Sequence, residues 1–237
     1  MVNLGQVKLL ETLPYDNQLY TQGIEKISED TILISAGRYG HSRLVIYHTN
    51  DKTFKTKHTF PDDFFAEGLT LLDNNTFWLL SFKEEIATQY RLTDFSIIQK
   101  VSYQGQGWGI AYDNQNNCLW MTNGGHYLQK RNPDTFDLIE EIPIEVNHVP
   151  ISRLNELEYV DGYLYANIWQ TQKIVKMLPQ TGQIVTVYDL AAIMTKLQLD
   201  KVRYPYIDFL NGIAHLENNQ FIITGKLYPF MMIVTLN

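Results

Sequence analysis

The sequence predicts an all-β fold, a five-bladed β-propeller with a short helical insertion before the last blade, on three observations. A tripeptide register recurs five times: Gln22-Gly23-Ile24, Glu67-Gly68-Leu69, Trp108-Gly109-Ile110, Asn155-Glu156-Leu157 and Asn211-Gly212-Ile213. Successive copies lie 45, 41, 47 and 56 residues apart, near the range in which a fixed period marks a solenoid or propeller. After each copy comes a short run rich in aromatic and aliphatic residues, and turn-forming clusters then separate further strands, which gives the four-stranded propeller unit.

Taken in chain order, the second strands are predicted at Thr31 to Ala36, Thr76 to Phe82, Cys118 to Asn123, Tyr163 to Trp169 and Phe221 to Lys226. Outer strands are separated by Thr49-Asn50-Asp51-Lys52, Leu92-Thr93-Asp94-Phe95, Asn132-Pro133-Asp134-Thr135 and Gln180-Thr181-Gly182. In such turns Asp and Asn bond their own backbone, Pro presets φ and Gly supplies positive φ. The last blade runs out of chain after Met231 to Leu236, so the unassigned strand from Val7 to Leu13 is expected to complete it and close the ring. The 56-residue interval holds the one helical pattern, from Asp189 to Leu199, with Leu190, Ile193, Met194 and Leu197 on one face and Asp189 as N-cap. No linker or low-complexity run divides the chain, and residues 1–237 are expected to form one propeller domain.

Composition narrows the partners. A net charge of −7 with dispersed basic residues argues against nucleic acid, which needs a clustered basic face. The stretch from Lys52 to His58 reads as a solvated strand edge. No apolar run approaches the ~18 residues that a membrane span needs. The first twenty residues lack the basic and apolar regions of a leader, so a cytoplasmic protein is expected as written, and a secreted or periplasmic one only if a leader has been removed. A monomer is expected. The lone Cys118, inside an apolar run, reads as a small buried hydrophobe. The six histidines show no metal-ligand spacing, and none is assigned to a metal.

Equivalent positions of a ring point at one axis. The register therefore brings Gln22, Glu67, Trp108, Asn155 and Asn211 to one mouth, one carboxylate among three amides and an indole. Such a set can serve general acid–base chemistry, or it can tie the inner strands together. The oxygens of Glu67, Asn155 and Asn211 also allow a divalent cation, as in a propeller lactonase. A third reading is a non-catalytic propeller that binds peptide ends.

Several ordered motifs favour the first reading. Tyr20-Thr21-Gln22-Gly23, Gly37-Arg38-Tyr39-Gly40, Phe65-Ala66-Glu67-Gly68-Leu69-Thr70, Gly107-Trp108-Gly109, Leu154-Asn155-Glu156-Leu157-Glu158, Ala166-Asn167-Ile168-Trp169, Leu210-Asn211-Gly212-Ile213-Ala214 and Thr224-Gly225-Lys226 together resemble the plant-type glutaminyl-peptide cyclotransferases, which are five-bladed propellers. The resemblance implies conversion of the N-terminal glutamine of peptides or proteins to pyroglutamate with loss of ammonia. It implies Glu67 as the catalytic proton shuttle, with Lys226 and Asn155 as donors to the γ-carbonyl oxygen, Gln22 as a substrate-amide partner, and Tyr20, Phe65, Phe82, Trp108 and Trp169 as an aromatic lining. Three positions depart from the family: Tyr20 stands for Phe, Ala66 for Gly, and Phe82 for Trp, the last removing an indole donor. No cofactor is expected for catalysis, and a structural calcium is allowed. Glu67 is expected to ionise below the substrate's α-amine, whose ordinary pKa is about 7.7–8.0.

Overall fold

The computed structural model describes residues 2–237, which are built almost wholly of antiparallel strands. The first sheet is Thr21–Ser28, Thr31–Ala36, Arg43–His48 and Thr53–Thr59; the second is Ala66–Leu71, Thr76–Ser81, Ile86–Arg91 and Ile97–Ser102. The third is Ile110–Asp113, Cys118–Met121, Tyr127–Arg131 and Leu138–Pro143. The fourth contains the meander Leu154–Val160, Tyr163–Ile168, Lys173–Leu178 and Gln183–Asp189, and the fifth is Leu210–Glu217, Gln220–Gly225 and Phe230–Leu236 with Val7–Pro14 on its outside. The fold is all-β and propeller-like. The innermost strands touch one another in chain order, and that of the fifth sheet returns to that of the first. Apolar clusters fill the spaces between adjacent sheets.

Four sheets have the four strands expected of every unit, but the fourth has seven. Asn3–Gly5 runs parallel to the outer part of Gln183–Asp189, while the small hairpin of Glu145–Val146 and Val149–Pro150 pairs at Gln183. These additions occupy an edge that would otherwise present unpaired N–H and C=O groups. The N-terminal pairing is as expected, from Val7 against Leu236 to Pro14 against Phe230.

The repeated tripeptide has a physical cause. A register shift lies at the motif in the first, second, fourth and fifth inner strands, at Thr21/Gly23, Ala66/Leu69, Leu154/Leu157 and Leu210/Ile213. Such bulges re-aim a side chain out of the regular ladder. The glycine that follows allows backbones to meet near the axis: a Cβ on Gly68 would fall 2.5 Å from the Trp108 carbonyl oxygen, and one on Gly109 2.0 Å from that of Asn155. Where the fourth copy replaces Gly by Glu156, the carboxylate accepts the N–H groups of Ile24 (3.3 Å) and Ile213 (2.7 Å), joining the first and fifth inner strands.

Two local expectations are corrected. The helix is confined to Ala191–Lys196 with Leu190, not Asp189, at the N-cap position; Asp189 ends a strand, and its carboxylate accepts the Ala191 N–H at 2.9 Å. Leu190, Ile193 and Met194 are buried as the pattern requires. In the turns, Asp51, Asp94 and Asn132 bond the following backbone as expected, but positive φ falls on Phe95 (59°) and Phe136 (66°) as well as on Gly182. Both rings are buried in the core, which offsets a conformation that bulky residues rarely adopt. Cys118 is buried, and desolvation pushes its thiol up to about 11. Among the described residues no helix is long and apolar enough to cross a membrane.

Candidate active site

The bulges bring Gln22, Glu67 and Asn211 into one hydrogen-bonded chain. The Asn211 amide nitrogen donates to the Thr21 carbonyl (3.1 Å) and to Gln22 Oε1 (3.0 Å), which turns Gln22 Nε2 toward Glu67 Oε1 at 3.2 Å. Glu67 is only 4% exposed, and burial raises its carboxyl well above the ordinary carboxylate range, partly offset by the Lys226 ammonium. The shift follows from the bulge, which points the side chain inward rather than to water. Lys226 closes a clamp in which Asp208 and Phe209 exchange backbone hydrogen bonds with it at 2.9 and 3.0 Å. Burial lowers its ammonium, opposed by Glu67 and Asp208, and Nζ lies 4.9 Å from the centre of the Tyr20 ring. Lys226 and Glu67 act on each other through space, since the ion pairs among the described residues lie elsewhere.

Asn155 is also buried. Its main-chain oxygen accepts the Thr122 hydroxyl at 2.9 Å, but its side-chain Oδ1 has no partner, nor has that of Asn211. Orphaned acceptors at this depth are costly unless something donates to them.

Half-buried aromatics form a rim. Tyr20 meets Phe65 at 6.4 Å and Phe65 meets Phe82 at 5.4 Å; on the other side Trp108 meets Trp169 at 5.5 Å, and Trp169 meets Phe209 at 6.1 Å. Backbone contact joins the arcs at one end, from Gly107 N–H to the Phe82 carbonyl (3.0 Å), and at the other the Tyr20 hydroxyl donates to Asp208, the residue before Phe209, at 2.8 Å. Trp108 and Trp169 stay partly open, whereas Trp78 and Trp120 are fully buried core residues. Of the nine sequence-predicted site residues, Gln22 and Glu67 are hydrogen-bonded to each other, Lys226 sits against the Tyr20 ring, and Tyr20, Phe65, Phe82, Trp108 and Trp169 make the rim, whereas the buried Asn155 side chain makes no hydrogen bond to any of them. Sequence reasoning missed Asp208, Phe209 and Glu84, whose carboxylate receives the Tyr39 hydroxyl (2.9 Å) and the Phe65 N–H (3.4 Å). A signal for Asp208 existed: Tyr in place of Phe at 20 adds a hydroxyl that needs a partner.

Known proteins resemble this chain in sequence and in fold. The model of the family described as glutamine cyclotransferase matches residues 1–236. The chain belongs to the glutamine cyclotransferase family. It is 28% identical over 231 residues to the glutaminyl-peptide cyclotransferase of Arabidopsis thaliana, covering 95% of this chain and 70% of that protein. The crystal structure of Myxococcus xanthus glutaminyl cyclase superposes with a TM-score of 0.86 at 26% identity, covering 100% of this chain and 99% of the other. A Bacteroides thetaiotaomicron protein of unknown function shares the fold alone, with a TM-score of 0.58 at 12% identity over 100% of this chain and 73% of its own. In this glutamine cyclotransferase the open space beside the site is a cavity of about 670 Å³ lined in part by Tyr20, Tyr39, Phe65 and Asp208; the buried Glu67 does not line it.

Proposed function

We propose that the Glu67 cluster converts N-terminal glutamine of peptides or proteins into pyroglutamate with release of ammonia. The observation that carries this reading is a buried, raised carboxyl held by Gln22, opposite a lysine, inside an aromatic rim in a chain of this family. The neutral α-amine of the substrate attacks its own γ-carbonyl, forming the ring C–N bond. Glu67 takes a proton from the attacking nitrogen and delivers one to the departing amide nitrogen, which leaves as ammonia when the old C–N bond breaks. A carboxyl raised toward the working pH both accepts and returns a proton readily. Because the reaction is intramolecular, the site has little entropy to overcome beyond seating the side chain. Lys226 donates to the developing oxyanion, a kind of contact worth about 2.7–4 kcal/mol where such donors have been removed.

Asn155 was expected to donate to the same oxygen. That role belongs to its Nδ2, while its orphaned Oδ1 supports receipt of a substrate N–H; Gln22, oriented by Asn211, keeps Glu67 in place. The rim would wall the glutamine side chain from water, strengthening the electrostatics within. We read the ring as five blades in one domain, the seven-stranded sheet counting as the fourth; the circuit of inner strands supports this. The chemistry proposed needs no metal. Ammonia release from a glutaminyl peptide, with and without chelator, tests the reading. Activity lost with the metal would favour the lactonase-like alternative, and no release at all would leave a peptide-end binder.

A further inference from the structure

A groove beside the rim carries chemistry that cyclisation does not use. The cavity of about 670 Å³ at Tyr20 and Phe65 shares Arg38, Pro205, Tyr206, Ile207 and Leu227 with a second of about 610 Å³, so that the two form one trough leading away from the site. One wall belongs to the turn after the second strand of the first sheet, the other to the segment between the helix and the fifth sheet. Arg38, Arg43, Lys201 and Arg203 line it, against a single carboxylate, Asp208. Asp208 already receives the Tyr20 hydroxyl. Among the described residues, only Arg43 of the four cations has an acidic partner, Asp16 at 4.0 Å. Arg38 lies over the Tyr20 ring at 5.6 Å, and Arg203 donates to Gln198 Oε1 at 2.8 Å, a neutral partner. Three exposed cations therefore face one trough in a chain whose net charge is −7. Beside them Tyr206 is 84% exposed, a surface that a peptide backbone can cover.

We infer, resting on the function proposed above, that this trough receives the residues that follow the N-terminal glutamine and selects peptides with an acidic side chain there. With the glutamine side chain inside the rim, the chain can leave only outward. Each further residue advances it by up to about 3.3–3.6 Å, which brings the second to fourth residues over the trough. Guanidinium forks match carboxylates in geometry as well as charge, and a concave wall of one sign also raises the local concentration of the opposite one.

The test measures ammonia release from C-terminally amidated peptides Gln-Ala-Xaa-Ala-Gly with Xaa as Glu, Ala or Lys, and from Gln-Ala-Ala with a free or an amidated terminus. The expected order in kcat/KM is Glu, then Ala, then Lys, spanning roughly three- to tenfold at low ionic strength, as a few exposed ion pairs allow. The spread should collapse near 1 M salt, where the Debye length is about 3 Å. In the double variant Lys201→Glu/Arg203→Glu the order should invert. A higher rate for the free than for the amidated tripeptide, without the Xaa effect, would assign the trough to peptide termini and overturn the side-chain selection. Equal kcat/KM for the three Xaa peptides, or an order unchanged in the double variant, would overturn the inference while leaving the cyclase intact. No ammonia from any peptide would remove the cyclase reading and this inference with it.

Discussion

Glu67 is where the fold and the chemistry pull against each other. Burial favours its neutral form, while the Lys226 ammonium and the Gln22 amide favour the anion, and a residue poised between the two can move a proton in either direction. Glu67→Gln keeps the volume and the acceptor for Gln22 but cannot shuttle, so kcat should fall by about 10²–10⁴-fold with the melting temperature unchanged or higher. A loss under about tenfold in a folded variant would move the catalysis elsewhere. In the unaltered enzyme kcat/KM should climb between about pH 6 and 8 as the substrate amine loses its proton, and a flat profile would contradict attack by the neutral amine. The rim is tested from both sides. Trp108→Ala removes the indole that stacks edge-on against Trp169 and covers Gly124, and should raise KM, lower kcat, or both. Phe82→Trp, which supplies the indole donor that the family resemblance implies there, should cost little. Unchanged kinetics for Trp108→Ala would make that indole core filler.

At the scale of the element, the decisive unit is the step at the head of the inner strands, a bulge in the first, second, fourth and fifth and a glycine in all but the fourth. It was legible because it needs particular residues: a polar side chain for the bulge to turn inward, and a glycine where one backbone lies against the next. Gly109→Ala puts its methyl on the Asn155 carbonyl and should destabilise the fold by several kcal/mol, with loss of activity following from displacement of Asn155. A Gly109→Ala protein with unaltered melting temperature would show that the inner strands tolerate separation. The parts of the fold that were not legible lack such a demand. Asn3–Gly5 and the Glu145–Val146 hairpin are two or three residues long, with no alternation to mark them as strands, and only the edge they cover gives them order. The segment carrying Lys201, Arg203 and Asp208 has no period at all, so its place beside the mouth followed only from the clamp at Lys226 and the Tyr20 hydroxyl.

The whole molecule is held together near its axis by buried acids, and this sets its response to pH. Glu25 on the first sheet accepts the Thr70 hydroxyl (2.8 Å) and the Leu71 N–H (3.1 Å) of the second; Glu158 on the fourth accepts the His215 N–H (3.0 Å) of the fifth, and Glu156 joins the fifth to the first. These carboxyls stitch sheets that share no ladder, and burial raises all three, Glu25 from 4.5 to about 7. A carboxyl raised on folding binds its proton more tightly in the native state, so its stabilisation is complete below the unfolded value and is lost as pH rises through the folded one. Stability should therefore decline between about pH 5 and 8. Asp30, Asp51, Asp94 and Asp113, held below their ordinary range chiefly by turn hydrogen bonds, have the opposite sign and withdraw support only in stronger acid. The melting temperature should accordingly peak in mild acid. Glu25→Gln retains an oxygen for Thr70 and Leu71 but has no proton to lose, so it should melt higher than the unaltered protein at pH 8 and flatten the decline from pH 5. Thermal melts of both proteins across that range decide the matter: a melting temperature that rises from pH 5 to 8, or a Glu25→Gln variant with the same slope, would mean that these acids are not what couples the ring to pH.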